Sequence, residues 1–237
     1  MPSLPFFVIL NLMKELFSYF KRVDKVWKGI WLFIFCGFIS LDAFFPNFFG
    51  VTMLKLLGLA FCFIYVIQKY SSDKLLVVAF FLTFTADLVL AFNNVSRIGV
   101  LIFVLAQFAH FARIKPLGKN VAPFAVGALL AYIILAFAAG PYCIYLLGAI
   151  YAFFLVSNLI LSYKWHKKSP KNGSAISAFY GFSLFLCCDL CVAGSFFAHI
   201  HILPFFLKRL FDFLAWGFYY PSQVLISNSS TKKPKKS

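Results

Sequence analysis

Eight long apolar runs, separated by short gaps that hold most of the basic residues, constrain this chain more than any other feature. The runs fall near residues 30–48, 51–68, 74–92, 98–114, 121–139, 141–163, 174–198 and 205–226. Each approaches the roughly 20 apolar residues that a helix needs to cross a bilayer. No water reaches the hydrocarbon layer, so the backbone must satisfy its own hydrogen bonds there, which selects helices. The expectation is an all-α fold: a polytopic transmembrane helical bundle of about eight spans, integral to the membrane and multi-pass.

Composition excludes the alternatives. Hydrophobic residues make up 62% of the 237 positions and charged residues 12%, against about 45–50% and 25% in soluble domains. Disorder requires low hydrophobicity, and an outer-membrane barrel shows alternation in place of long runs. All six cysteines lie in or at the ends of apolar runs, where free Cys acts as a small hydrophobe. They do not make a disulfide framework.

The net charge of +15 would suggest nucleic acid if it formed a folded patch, but no recognition motif accompanies it, and no nucleic-acid partner is expected. Its placement is topological. Eighteen of the 22 Lys and Arg fall before the first run, in the gaps after even-numbered runs and in the tail, on one face of the bundle; Arg97, Lys208 and Arg209 fall on the other. The positive-inside rule then puts both termini in the cytoplasm.

Three regions follow. Residues 1–28 place Leu4, Phe7, Val8 and Leu12 at helical spacing with basic residues beyond, as an interfacial amphipathic helix would. Residues 29–227 form the eight-span domain. Residues 228–237, rich in Ser and Lys, read as a basic, flexible, solvated tail.

Ionisable side chains inside spans are costly and mark functional sites by default. Here they are Asp42, Lys55, Asp87, Asp189 and Asp212. At about 1.5 Å per residue, Asp87, Asp189, Lys55 and Asp212 lie roughly 8, 13, 6 and 11 Å from the non-cytoplasmic ends of their runs. Comparable depth suggests one polar pocket. Asp212, Trp216, Tyr219, Tyr220 and Gln223 share one face of the last run, Thr83, Asp87 and Asn94 one face of the third. Gly181, Cys188 and Ser195 recur every seven residues, a stripe that lets a neighbouring helix approach closely.

Each of these residues has a plainer reading. The aspartates can be structural ion pairs, Lys55 can snorkel to the interface, and Asp212 can pair with Lys208 or Arg209 one turn away. Cys188, Asp189 and Cys191 make a weak metal motif without a second ligand pair or a nearby His, so no metal site is expected.

With those residues in view, the sequence resembles the YhhN-type lysoplasmalogenase family of eight-span membrane proteins. The likeness rests on Lys55 in Thr-Met-Leu-Lys-Leu-Leu, on Ala86-Asp87, and on Gly99 to His110 with Phe103 and Ala106. It rests further on Gly181, Phe185, Cys188 and Asp189, and on Tyr220, Gln223, Leu225 and Ile226. Departures are Gln107 for the family's His, His110 for Tyr, Cys188 for Ser, Ala86 for Gly, and Leu56 where Pro follows the Lys.

The resemblance implies hydrolysis of the vinyl ether bond of lysoplasmalogens to a fatty aldehyde and a glycerophospho-headgroup. It implies Asp87 and Asp189 as the catalytic pair, with Lys55 tuning a carboxylate or binding phosphate, and Gln107, His110, Tyr220 and Gln223 contacting substrate. The partners would be a lysophospholipid substrate and membrane lipids. The chemistry needs a protonated carboxylic acid beside a carboxylate, with no metal or organic cofactor. A transporter using the same charges as a proton relay and a non-catalytic lipid-binding protein are the rival readings. For the first, Asp87-Leu88 and Asp189-Leu190 lie 102 residues apart in runs of equal orientation.

Overall fold

The computed structural model describes residues 25–44, 49–92, 96–118, 121–200, 202–204 and 206–232. Among them are eight α-helices and no strand: α1 (Lys25–Phe44), α2 (Phe49–Tyr70), α3 (Lys74–Phe92), α4 (Arg97–Ile114), α5 (Ala122–Ala138), α6 (Cys143–Lys168), α7 (Gly173–His199) and α8 (Phe206–Ser227), with a 3₁₀ turn, Gly140–Tyr142, before α6. Five of these are long and apolar enough to cross a membrane unaided: α2, α3, α4, α6 and α7. The protein is an integral, multi-pass helical membrane protein. Large apolar side chains such as Phe33, Phe124 and Ile134 stand exposed on the outside, as a lipid-facing surface requires.

Local signals set the boundaries. Ser96 caps α4 by accepting from the Gly99 amide, and Asn172 caps α7 by accepting from the Ser174 amide. Pro123 enters α5 in its first turn, where its missing N–H costs nothing. The expected spans match these helices to within a few residues, except that α1 starts at Lys25, so the basic residues Lys25 and Lys28 belong to the first helix. The interfacial helix expected before them lies outside the described residues, as does Asn94.

The helices close into a ring. Around it run α2, α3, α4, α6, α7 and α8, with α8 returning against α2. α1 packs outside in the groove between α2 and α8, and α5 packs outside against α6, where its Leu129 meets Val104 of α4. Shifting the ring helices by four reproduces their neighbour pattern, so α2–α4 and α6–α8 occupy corresponding positions in the ring. α3 and α7 correspond under that shift and stand opposite each other across the ring.

The most extensive helix pair is α7 with α8, and the small-residue stripe explains it. A Cβ on Gly181 would meet Ile226 Cγ1 at 2.6 Å and the Ile226 backbone nitrogen at 3.1 Å. Gly194 is similarly covered by the Phe211 ring. Van der Waals packing drives association in lipid, and small residues allow the close approach.

One expectation is corrected here. Ser227 to Ser230 are not a solvated tail: their exposures run from 0 to 3%. Arg113 at the basic end of α4 explains why. Its guanidinium donates to the Ser229 carbonyl and, at 3.0 Å, to Ser229 Oγ. Asp73 divides its oxygens, one accepting from the Leu76 amide and the other from Ser230 Oγ, Thr231 N and Thr231 Oγ1 at 3.0–3.1 Å. Asn228 accepts from the Tyr65 hydroxyl. Two charged groups inside the end of the bundle need partners, and the chain beyond α8 supplies them.

Candidate functional site

The polar residues converge on the ring interior. Asp87 on α3 accepts a hydrogen bond from the Tyr219 hydroxyl of α8 at 2.5 Å. Asp189 on α7 accepts one from the Tyr151 hydroxyl of α6 at 2.7 Å. Tyr151 lies within electrostatic reach of both carboxylates, and Cys188 likewise feels both Asp189 and Asp87. The two aspartates therefore face the same stretch of the ring. Both residues are half-buried, and the walls are apolar: Phe103 meets Tyr151 edge-on and Phe185 meets Tyr219 edge-on, with centroids 6.0 and 5.3 Å apart.

Lys55 and Asp212 do not join this pair, so the single pocket expected from depth resolves into two neighbouring groups. Lys55, 8% exposed, donates to Asp42 at 2.7 Å and sits 4.7 Å over the Trp216 ring. Its electrostatic partners are Asp42 and Asp212. It is paired within the bundle and does not snorkel. Asp212 accepts from Ser195 Oγ of α7 at 2.5 Å and from Lys208, one turn earlier on α8, at 2.7 Å. The i,i+4 pairing of Asp212 is thus present, together with a second partner on α7. Trp216 links the groups, since its ring also contacts Tyr219 at 5.3 Å.

Comparison with known sequences settles the lineage. The profile of the YhhN family matches residues 47–230. The chain belongs to the YhhN family. No curated protein and no solved structure matches it. The YhhN match spans the whole ring, from α2 through Ser230 and including both aspartates, and it is compatible with a hydrolase.

In this YhhN protein the remaining residues singled out in the sequence lie elsewhere in the ring. Gln107 is buried, and both its backbone carbonyl and its side-chain oxygen accept from Asn158 Nδ2 of α6 at 2.9 Å. Asn158 follows Tyr151 by seven residues, so this pair lies about 10 Å along the ring towards the basic end. His110 lies further that way, edge-on to Phe80 and Phe182 and 3.5 Å from Arg113 Nη2. Tyr220 stacks on Phe35 with its hydroxyl unpartnered. Gln223 is buried beside Ser222. No group of three or more His, Cys, Asp or Glu converges as a metal site would among the described residues.

Sequence reasoning missed Tyr151 and Asn158. Their seven-residue spacing within one apolar run places both on one helix face and was the available signal. It also missed the pairing of Asp42 with Lys55, which needs α1 packed against α2 to bring positions 13 residues apart together.

Proposed function

We propose that this YhhN protein hydrolyses the vinyl ether bond of a lysoplasmalogen, releasing a fatty aldehyde and a glycerophospho-headgroup. The observation that carries the reading is the aspartate pair: two carboxyl groups from opposite helices of an apolar ring, each held by a tyrosine. Such a pair suits a reaction that begins with an acid and ends with a base.

The reaction divides between them. One Asp, protonated, delivers its proton to the outer alkene carbon, and the ether oxygen stabilises the resulting oxocarbenium ion. The second Asp, ionised, faces that cation and takes a proton from the water that attacks it, as in glycoside hydrolysis. The hemiacetal formed in this way collapses to aldehyde and alcohol, so one water is consumed. Two carboxyls in a shared site of low dielectric do not both ionise readily, which supplies the mixed protonation the cycle needs. The tyrosine hydroxyls fix each carboxyl's orientation, and the phenylalanine walls limit water to what the reaction requires.

The positive-inside rule places the basic end in the cytoplasm and the aspartates nearer the other leaflet, reached laterally by a single-chain lipid. Aldehyde release by the purified protein tests the reading. Native protein is expected to turn over a lysoplasmalogen, and Asp87→Asn and Asp189→Asn, checked for folding, are expected to be inactive; a folded native protein that releases no aldehyde removes the hydrolase.

A second reading, proton-coupled transport, draws support from the corresponding positions of α2–α4 and α6–α8 in the ring, a repeat of the kind found in transporters. Uptake into vesicles driven by a proton gradient, without aldehyde formation, would favour it.

A further inference from the structure

We infer that Asn158 of α6 holds an internal water, and that the water consumed in hydrolysis reaches the aspartates past it, through the ring from the basic end. The inference rests on the hydrolase reading for the reaction the water enters. It goes beyond that reading in naming the route and the residue that positions it.

Asn158 is fully buried. Its Nδ2 donates to the Gln107 carbonyl and to Gln107 Oε1, both at 2.9 Å, which commits one arm of the planar amide to α4. The other arm, Oδ1, is directed away from α4 and meets no protein donor. Asn158 shares a face of α6 with Tyr151, whose hydroxyl reaches Asp189, so this oxygen belongs to the wall that looks into the ring. A bare carbonyl oxygen in an apolar interior is costly, and proteins ordinarily meet such groups with an internal water.

Polar residues continue from Asn158 in both directions. Towards the aspartates, Tyr151 lies two turns away, about 10 Å along the helix. Its hydroxyl proton goes to Asp189, so its oxygen is left to accept from water. Two or three waters, at about 2.8 Å per hydrogen bond, cover the distance. Towards the basic end, His110 and Arg113 follow Gln107 at three-residue intervals on one face of α4. Both are buried, and Arg113 Nε is a second buried group with no protein partner.

Buried polar groups inside a membrane bundle are expensive and line the paths that water or ions take. The levels at Arg113, His110, Asn158 and Tyr151 give water a polar contact at each step, while the apolar packing between them keeps the rest out. The lysolipid comes laterally from the bilayer, so the two reactants arrive from different sides. Asn158 acts through the waters beyond it and is a positioning residue.

A structure of the full-length native protein in detergent, at a resolution that shows ordered water, is expected to place one within hydrogen-bond distance of Asn158 Oδ1. A dry Oδ1 overturns the inference. The route is tested by partitioning the oxocarbenium ion between water and added methanol, which dissolves in lipid and enters with the substrate. Water gives the hemiacetal that collapses to aldehyde. Methanol bonds through its oxygen to the cationic carbon and passes its proton to the ionised carboxylate, leaving a mixed acetal that survives. In Asn158→Leu, aldehyde release is expected to fall about tenfold and the ratio of acetal to aldehyde to rise by a similar factor. Carboxyls that were merely displaced would slow protonation, the step common to both products, so a native ratio in Asn158→Leu overturns the route. The ratio is independent of how much of the variant folds. Water at Oδ1 without aldehyde or acetal from folded native protein would remove the hydrolase and leave the internal water; aldehyde release with a dry Oδ1 would do the reverse.

Discussion

Tyr219 on α8 donates its hydroxyl proton to Asp87 on α3 at 2.5 Å, joining two helices that are distant in sequence at the point where the reaction is proposed to occur. Tyr151 and Asp189 repeat the arrangement from α6 to α7. Hydrogen bonds to charged groups contribute about 1.5–3 kcal/mol, and here that energy fixes which way a carboxyl points. Tyr219→Phe and Tyr151→Phe are expected to lower kcat about 10- to 100-fold with KM little changed. Steady-state kinetics of aldehyde release, with a melting curve for each variant, is the measurement; variants with wild-type kcat would show that the tyrosines only pack.

The Lys55–Asp42 pair is buried, each side chain about 10% exposed. Removing one partner strands the other charge. Asp42→Asn and Lys55→Met are each expected to destabilise the protein by about 3–5 kcal/mol, and the double variant by less than the sum. Thermal unfolding of the four proteins in detergent closes the cycle, and simple additivity would mean that the two charges are not coupled.

The α7–α8 seam has no room at Gly181. Gly181→Val must push Ile226 and its backbone aside, at a cost of about 1–3 kcal/mol. A lower melting temperature is expected, and an unchanged one would mean that the seam can open without loss.

Deleting residues 228–237 leaves Arg113 and Asp73 without the partners that Ser229, Ser230 and Thr231 provide. A truncation after Lys232 keeps all of these bonds. The longer deletion is expected to melt well below the shorter one, by the about 1–3 kcal/mol of each buried group left unpaired; equal melting temperatures would show that water replaces the segment.

How far the sequence could be read follows from range. The helices and the polar faces of α3 and α8 are periodic features within single runs, so Asp87, Asp189 and the seam at Gly181 were visible as residues of interest. What each one meets was not. Depth placed Lys55 beside the aspartates, yet a helix has a direction as well as a depth, and Lys55 points to Asp42 and Trp216. The segment Ser227–Ser230 carries only small polar side chains, which read as a solvent-exposed end; its burial depends on Arg113 of α4 and Asp73 of the α2–α3 connection, charged groups distant in the sequence.

The four-helix shift that maps α3 onto α7 has a consequence for where the chemistry resides. Each half contributes a single carboxyl and takes at least part of its tyrosine support from the second half, because Tyr151, Tyr219 and Asp189 all come from α5–α8 while Asp87 alone comes from α1–α4. On the hydrolase reading, a chain severed between α4 and α5 is expected to yield two inert fragments, with turnover returning only when both meet in the same bilayer. The aspartate–tyrosine arrangement is in this respect built like the shared site of a heterodimer whose subunits are covalently joined.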